Sequence, residues 1–254
     1  MIHFVGAGPG APDLITVRGA RLLGEADTVI YAGSLVNPEL LALCRADCER
    51  YDSARLTLEQ VLEIMERAEE IQHLTVRLHT GDPSVYGAIR EQMDALDRRG
   101  IPYAVAPGVS SFCGAAAAAR AEYTLPGVSQ TVILTRMAGR TPVPERERLA
   151  ALAAHGASMT IFLSAGMLPA VQAELLKGRY TAQTPAAIVY KATWPEERVL
   201  RCTVGTLAET GEQHEIRKTA LVLVGDFLDS AYDRSCLYDP GFTTEYRAGT
   251  EKTT

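Results

Sequence analysis

Apolar residues in this chain gather in short runs, each followed by a segment with helical periodicity, and the alternation begins at the first residue. Such a pattern restricts the fold to an α/β protein with mostly parallel strands. Strands are expected at Ile2 to Val5, Thr28 to Tyr31, Leu74 to His79 and Tyr103 to Ala106. A second series follows at Thr131 to Thr135, Met159 to Leu163, Ala186 to Lys191, Val199 to Val204 and Leu221 to Val224. The clearest helix opens with Thr57 and Gln60 at capping-box spacing and sets Leu58, Val61, Leu62, Met65 and Ala68 on one face. Between the two series lie the alanine-rich run Gly114 to Ala119 and then Leu125, Pro126 and Gly127, so two α/β domains are expected, 1–120 and 121–254. The closing GTEKTT is expected to fray.

Three function classes are disfavoured by bulk properties. A net charge of −6 argues against a partner bound through a phosphate backbone, so no nucleic acid is expected. There is no apolar run of transmembrane length and no signal-like start, so no membrane partner is expected and the cytoplasm is the expected compartment. Cys44, Cys48, Cys113, Cys202 and Cys236 lack paired CxxC spacing and read as reduced thiols. No protein-bound metal is expected; Cys44 and Cys48, four apart on an expected helix, are the one pair that could share an ion.

Glycine-rich loops follow three of the expected strands. Gly6, Ala7, Gly8, Pro9 and Gly10 come directly after the first, and Gly6, Gly8 and Ala11 fit the permissive dinucleotide fingerprint. Pro9 and Pro12 nevertheless remove backbone donors that a pyrophosphate would need, and Tyr31 is followed by Ala32 and Gly33 instead of the acid that would hold a ribose. A dehydrogenase is therefore disfavoured. The second loop runs from Gly81 to Gly87, where Asp82 is placed either to orient a ligand or to cap a helix. In the third, Pro107, Gly108, Val109, Ser110 and Ser111, either serine could open a helix. Loops after strands of one parallel sheet converge on its carboxyl edge, where such sheets bind ligands. His79, ending a strand just before Gly81, is expected to be a core or hydrogen-bonded histidine before a proton carrier.

Taken together the three loops resemble the tetrapyrrole methylase family, whose members carry GPG, GDPxxYG-like and PGVSS-like loops. The resemblance continues through Thr135 to Pro142 (TRMAGRTP), Phe162 to Gly166 (FLSAG), Tyr190 to Glu197 (YKATWPEE), Val224 to Asp226 and Leu237 to Pro240 (LYDP). TRMAGRTP, YKATWPEE and the LYDP-containing tail look most like the branch acting on a corrin precursor at the precorrin-4 stage, at C(11). The resemblance implies two α/β domains with a ligand cleft between them, a homodimer, and S-adenosyl-L-methionine as methyl donor. It implies donor contacts at Pro9, Gly81, Asp82, Val85, Ser110, Ser111, Phe162, Leu163, Ala192 and the stretch Thr219, Ala220, Leu221.

Methyl transfer from a sulfonium to carbon is an in-line displacement driven largely by proximity and alignment, so no Ser/His/Asp or Cys/His constellation is needed, and no catalytic residue is assigned. The small-molecule tetrapyrrole substrate that the resemblance implies carries several carboxylates. Arg136 and Arg140, flanking a glycine in TRMAGRTP, are the candidates to receive them. Other branches of the superfamily would act on RNA or protein, and a silent ligand-binding module would lose the donor loops. The negative charge weighs against RNA, the precorrin-like segments at Arg140 and Lys191 weigh against RNA and protein alike, and the intact Gly81, Asp82, Ser110 and Ser111 weigh against the silent module.

Overall fold

A computed structural model describes residues 1–250, and the chain forms two compact units. The first contains Met1–Ala118 and also Lys191–Arg198; the second contains Ala119–Tyr190 and, among the described residues, 199–250. Assignment of Lys191–Arg198 to the first unit is a feature that a single boundary near residue 120 does not contain. Of the GTEKTT end, Gly249 and Thr250 are tied back, with the Thr250 amide donating to Pro240 O at 2.8 Å and the Gly249 amide to Thr243 Oγ1 at 3.0 Å. Residues 251–254, and the expected fraying there, lie outside the described residues.

The first unit is built on a five-stranded sheet of β1 (Ile2–Gly6), β2 (Thr28–Tyr31), β3 (Glu49–Asp52), β4 (Thr75–His79) and β5 (Tyr103–Ala106), in the order β3-β2-β4-β1-β5. Each pairing is parallel. Side chains alternate between the two faces. Ile2, Phe4 and Ile30 pack with Val61, Leu62 and Met65 of α2 (Leu58–Glu70) and Leu96 of α3 (Ile89–Arg99). Val5, Val29, Val76 and Leu78 pack with Leu22 and Leu23 of α1 (Val17–Glu25). Both faces are therefore covered, which is why β2 reads as a nearly continuous apolar run, whereas β4 buries Thr75, Arg77 and His79 beside Val76 and Leu78. The expected capping box is present: Thr57 Oγ1 accepts from the Gln60 amide and Gln60 Oε1 from the Thr57 amide. Leu58, Val61, Leu62, Met65 and Ala68 lie on the inward face, Leu58 half-buried and the others buried.

In the second unit the sheet order is β6-β7-β10-β8-β9. Its strands are β6 (Val132–Arg136), β7 (Ser158–Phe162), β8 (Pro185–Tyr190), β9 (Arg198–Thr203) and β10 (Ala220–Val224). This sheet is mixed: β6 and β7 run parallel, while β10 runs antiparallel to both β7 and β8. Its core joins Met159, Ile161, Ile188 and Val222 to Leu149 of α5 (Leu149–Ala153), Leu168, Val171 and Leu175 of α6 (Leu168–Leu175) and Leu207 of α7 (Leu207–Gln213). The remaining helix, α4 (Ser111–Ala119), follows the third glycine-rich loop.

Cys44 and Cys48 do not share a helix. Cys44 closes a 3-10 turn (Pro38–Leu43) and Cys48 lies just before β3, because Pro38 starts a short turn and β3 follows at once. Burial raises the Cys44 thiol, and burial first, then the neighbouring Cys44, push Cys48 up to about 11, so both stay as thiols, with Cys48 Sγ donating to Glu49 O at 3.5 Å. Among the described residues no group of three or more His, Cys, Asp or Glu side chains is placed to hold a metal ion, and no helix is long and apolar enough to cross a membrane.

Candidate functional site

The three glycine-rich loops leave β1, β4 and β5, which are neighbours in one parallel sheet, so all three emerge at the same edge. They are in direct contact. The Gly81 amide donates to Gly8 O at 2.8 Å and the Gly8 amide to Gly81 O at 3.2 Å, while the Ala7 amide donates to His79 O at 2.7 Å. A Cβ on Gly6 would lie 2.5 Å from Gly108 Cα, and one on Gly108 would lie 2.3 Å from Gly81 O. Only glycine lets three backbones meet this closely.

Asp82 completes the junction. Its Oδ2 accepts from the Gly108 amide at 2.8 Å and its Oδ1 from the Ser84 amide at 2.9 Å, with the Ser84 hydroxyl also donating to Oδ1. Burial by itself would raise its pKa; the hydrogen bonds from Ser84 and Gly108 outweigh burial and hold the carboxyl below its ordinary value. The helix-cap alternative fails, because the next helix, α3, starts at Ile89 behind Ala88, with no side-chain cap. Asp82 ties the second loop to the third. Asp82 is also the single charged side chain in the segments 6–12, 80–87 and 107–111. An edge with this charge suits a cation such as a sulfonium and is the wrong sign for a pyrophosphate.

Helix geometry excludes the dinucleotide reading independently. After Gly10 comes a 3-10 turn (Pro12–Leu14), and α1 begins only at Val17, capped by Thr16 Oγ1. No helix N-terminus therefore opens at the first glycine loop. At the third loop a helix does start: Ser110 O accepts from the Cys113 amide at 3.0 Å, Ser110 is buried, and Ser111 is the first residue of α4. Gly81 abuts this start, since a Cβ there would lie 3.3 Å from the Ser111 amide nitrogen. Pro9, Gly81, Asp82, Ser110 and Ser111 thus surround one edge. Val85 joins them through its amide, which donates to Asp82 O at 3.2 Å.

Sequence reasoning missed what supports the first loop. Trp194 Nε1 donates to Pro9 O at 3.2 Å, the Ala11 amide donates to Thr193 Oγ1 at 2.9 Å, and buried Asn37 donates through Nδ2 to Gly10 O at 2.9 Å. Ala192 lies against Gly10, its carbonyl oxygen 2.9 Å from where a Cβ would stand. The available signals were the YKATWPEE segment and the Asn37-Pro38 turn dipeptide.

His79 is a core residue. Its ring lies 6.1 Å from that of Phe4, centroid to centroid, and Nε2 has no hydrogen-bond partner. Burial, then the charge on Arg77, lower its pKa to about 3. Arg77 is itself buried, lowered to about 10 by that burial, and donates to Ile30 O at 3.2 Å and Gln92 Oε1 at 3.3 Å. A neutral, buried ring does not serve as a proton carrier near neutrality.

The second unit gathers its own candidates. β7 ends at Phe162, parallel β6 ends beside it at Arg136, and antiparallel β10 begins with Ala220 and Leu221 at the same edge. Leu163 has φ +53° and is 66% exposed, and Thr219 has φ +56°. Left-handed backbone at non-glycine residues is strain that collects at functional edges. Ser164, fully buried, donates to Phe162 O at 2.7 Å and accepts from the Met137 amide at 3.0 Å, joining FLSAG to TRMAGRTP. The two arginines behave differently. Arg136 donates to Met137 O, Thr141 O and Pro142 O and so folds its own loop. Arg140 is exposed, and among the described residues no acceptor holds its guanidinium.

The profile of the family described as Tetrapyrrole (Corrin/Porphyrin) Methylases matches residues 1–208. The chain is 49% identical over 252 residues to the cobalt-precorrin-4 C(11)-methyltransferase of Methanocaldococcus jannaschii, covering 99% of this chain and 97% of the relative. Among solved structures it is similar to the cobalamin biosynthetic enzyme cobalt precorrin-4 methyltransferase, CbiF, with TM-score 0.88, 46% identity and coverage of 90% and 96% of the two chains. It is also similar to the uroporphyrin-III C-methyl transferase of Thermus thermophilus in complex with S-adenosyl homocysteine, with TM-score 0.74, 29% identity and coverage of 90% and 93%. The converging glycine loops, the two α/β sheets and a match along nearly the whole chain lead to one family: this protein belongs to the tetrapyrrole methylases.

Proposed function

We propose that the protein transfers a methyl group from S-adenosyl-L-methionine to C(11) of precorrin-4, in its metal-free or cobalt-containing form, giving the precorrin-5 stage of cobalamin synthesis. The observation that carries the donor half is the junction of Gly6, Gly8, Gly81, Asp82 and Gly108 at one sheet edge, with a lone carboxylate as its charge. We assign donor contacts to Pro9, Gly81, Asp82, Val85, Ser110, Ser111 and Ala192 in the first unit, and to Phe162, Leu163, Ala220 and Leu221 in the second. The junction residues fit a sulfonium-bearing ligand because close backbone approach and negative charge coincide there.

S-adenosyl-L-methionine supplies the electrophilic methyl group when bound. The chain's part is alignment: backbone at the loop junction fixes the donor, and Arg140 receives a tetrapyrrole carboxylate through a two-bond fork while Arg136 keeps the Arg136–Pro142 loop folded. The free thiols at Cys44, Cys48, Cys113, Cys202 and Cys236 suit the reducing cytoplasm, where we place the enzyme. Exposed Tyr238, Phe242 and Tyr246 on the tail suit a surface covered by a second copy, and a homodimer is the assembly we assign; light scattering at a monomer mass would oppose it.

The test is incubation with methyl-labelled S-adenosyl-L-methionine and each form of precorrin-4, followed by carbon NMR of the product. One labelled methyl at C(11) is expected. Transfer to another ring position, or none to either form while uroporphyrinogen is methylated, overturns the reading.

A further inference from the structure

Between β8 and β9 the chain leaves the second unit's sheet, and the intervening Lys191–Arg198 belongs to the first unit. Its side chains meet the first glycine loop at three consecutive residues. Trp194 Nε1 holds Pro9 O, Thr193 Oγ1 accepts the Ala11 amide, and between them Gly10 packs so tightly on the indole that a Cβ would sit 2.1 Å from Trp194 Cδ1. On the far side Pro9 rests on α4, where a Cβ on Gly114 would lie 2.8 Å from Pro9 Cβ and 3.4 Å from Thr193 Cγ2.

The segment is itself held stiff. Thr193 has φ +69° and Lys191 φ +46°, and a β-branched residue occupies the left-handed region only where its surroundings enforce it. The enforcement is visible: the Thr193 amide donates to Glu197 Oε2 at 2.6 Å, while Lys191 Nζ pairs with Glu196 Oε1 at 3.0 Å and lies 5.3 Å from the centre of the Trp194 ring. Strain spent on presenting one hydroxyl and one indole N–H to a loop has a purpose at that loop.

We propose that Thr193 and Trp194 are positioning residues for methyl transfer, fixing the Gly6–Ala11 loop in the conformation that accepts the methyl donor. The inference rests on the donor-site reading above and adds to it the device that keeps the loop competent. Apparent affinity falls in proportion to the fraction of molecules whose loop is in the binding form, so loosening the clasp weakens donor binding without removing a donor contact.

The test uses the full-length protein with S-adenosylhomocysteine as the calorimetric probe. Thr193→Val keeps the shape and β-branching but deletes the acceptor of the Ala11 amide, and it is expected to raise the dissociation constant roughly tenfold. Thr193→Ser restores the hydroxyl and is expected to return the constant to within about twofold of wild type. In steady state the KM for S-adenosylmethionine rises with the dissociation constant, whereas kcat at saturating donor falls by less than about twofold, since bound donor re-forms the loop. Trp194→Phe, which keeps an aromatic ring against Gly10 and loses the donor to Pro9 O, provides the same reading should Thr193→Val not fold. If the folded variants bind S-adenosylhomocysteine as wild type does while melting at lower temperature, the segment is merely structural and the inference is overturned. A wild-type protein that fails to bind the probe would instead overturn the donor-site reading, and this inference with it.

Discussion

Acidification should destabilise this protein through one buried ring, His79. In the folded chain its pKa lies at about 3 against an ordinary value of 6.5, chiefly through burial and then through Arg77. The folded value is the depressed one, so below pH 6.5 the unfolded chain takes up a proton that the folded chain refuses. The stability conferred by the neutral ring is thus complete above pH 6.5 and is lost as the pH falls from there toward 3. At about 1.4 kcal/mol per tenfold difference in proton binding, the loss between pH 8 and pH 5 is about 2 kcal/mol. His79→Phe retains a ring beside Phe4, discards an Nε2 that has no partner, and cannot titrate. Urea unfolding of wild type and variant at both pH values gives a difference of differences from which every other titrating group cancels. Wild type should lose about 2 kcal/mol more than His79→Phe. Equal losses, or an imidazole proton signal from His79 that titrates near 6.5 in the folded protein, would refute the argument.

Four further outcomes are expected. Asp82→Asn replaces a carboxylate oxygen by an amide donor facing the Gly108 amide; S-adenosylhomocysteine should bind roughly tenfold more weakly by calorimetry, and unchanged affinity with a lower Tm would make Asp82 purely structural. Gly108→Ala puts a methyl 2.3 Å from Gly81 O, backbone against backbone, and should cost about 1–3 kcal/mol in thermal unfolding together with donor binding; a variant that binds normally would contradict the loop junction. Arg140→Ala should raise the tetrapyrrole KM roughly tenfold or more while leaving the donor KM near wild type, with Arg140→Lys recovering only part; an unaltered tetrapyrrole KM would return Arg140 to the solvated surface. Trp194 is the chain's one tryptophan, so its emission should change on titration with S-adenosylhomocysteine, and a flat titration alongside calorimetric binding would show that the loop does not respond.

β2 was plain in the sequence, because burial on both faces demands an apolar run, and β5, an edge strand with Val105 exposed, is also bounded as its residues suggest. Glu49–Asp52 escaped notice because β3 is an edge strand that needs only backbone pairing with β2, and its Glu-Arg-Tyr-Asp carries no apolar pattern. The antiparallel course of β10 was equally hidden. Ala-Leu-Val-Leu-Val, buried throughout, reads the same in either direction. Within the candidate site, adjacency of the three glycine loops followed from strand order, but the carboxylate of Asp82 reaching Gly108 is a tertiary contact without a local signal. Arg136 and Arg140 could not be told apart in TRMAGRTP; only the folded loop reveals that the Arg136 guanidinium is occupied by carbonyl oxygens, while that of Arg140 meets none among the described residues.

Chain order sets a condition on when the donor loop can form. A ribosome delivers Met1–Ala118 first, and N-terminal domains commonly fold as they emerge. Here the first unit emerges without Thr193 and Trp194, which arrive only after β8 has been made. Until then the Ala11 amide and the Pro9 carbonyl lack the partners they have in the finished protein. A fragment cut after residue 118 would thus have the sheet but an unclasped loop, and supplying Lys191–Arg198 as a separate peptide could not recreate the tethering that holds it in place. The nascent chain acquires its clasped loop late, when most of the second sheet has already been synthesised.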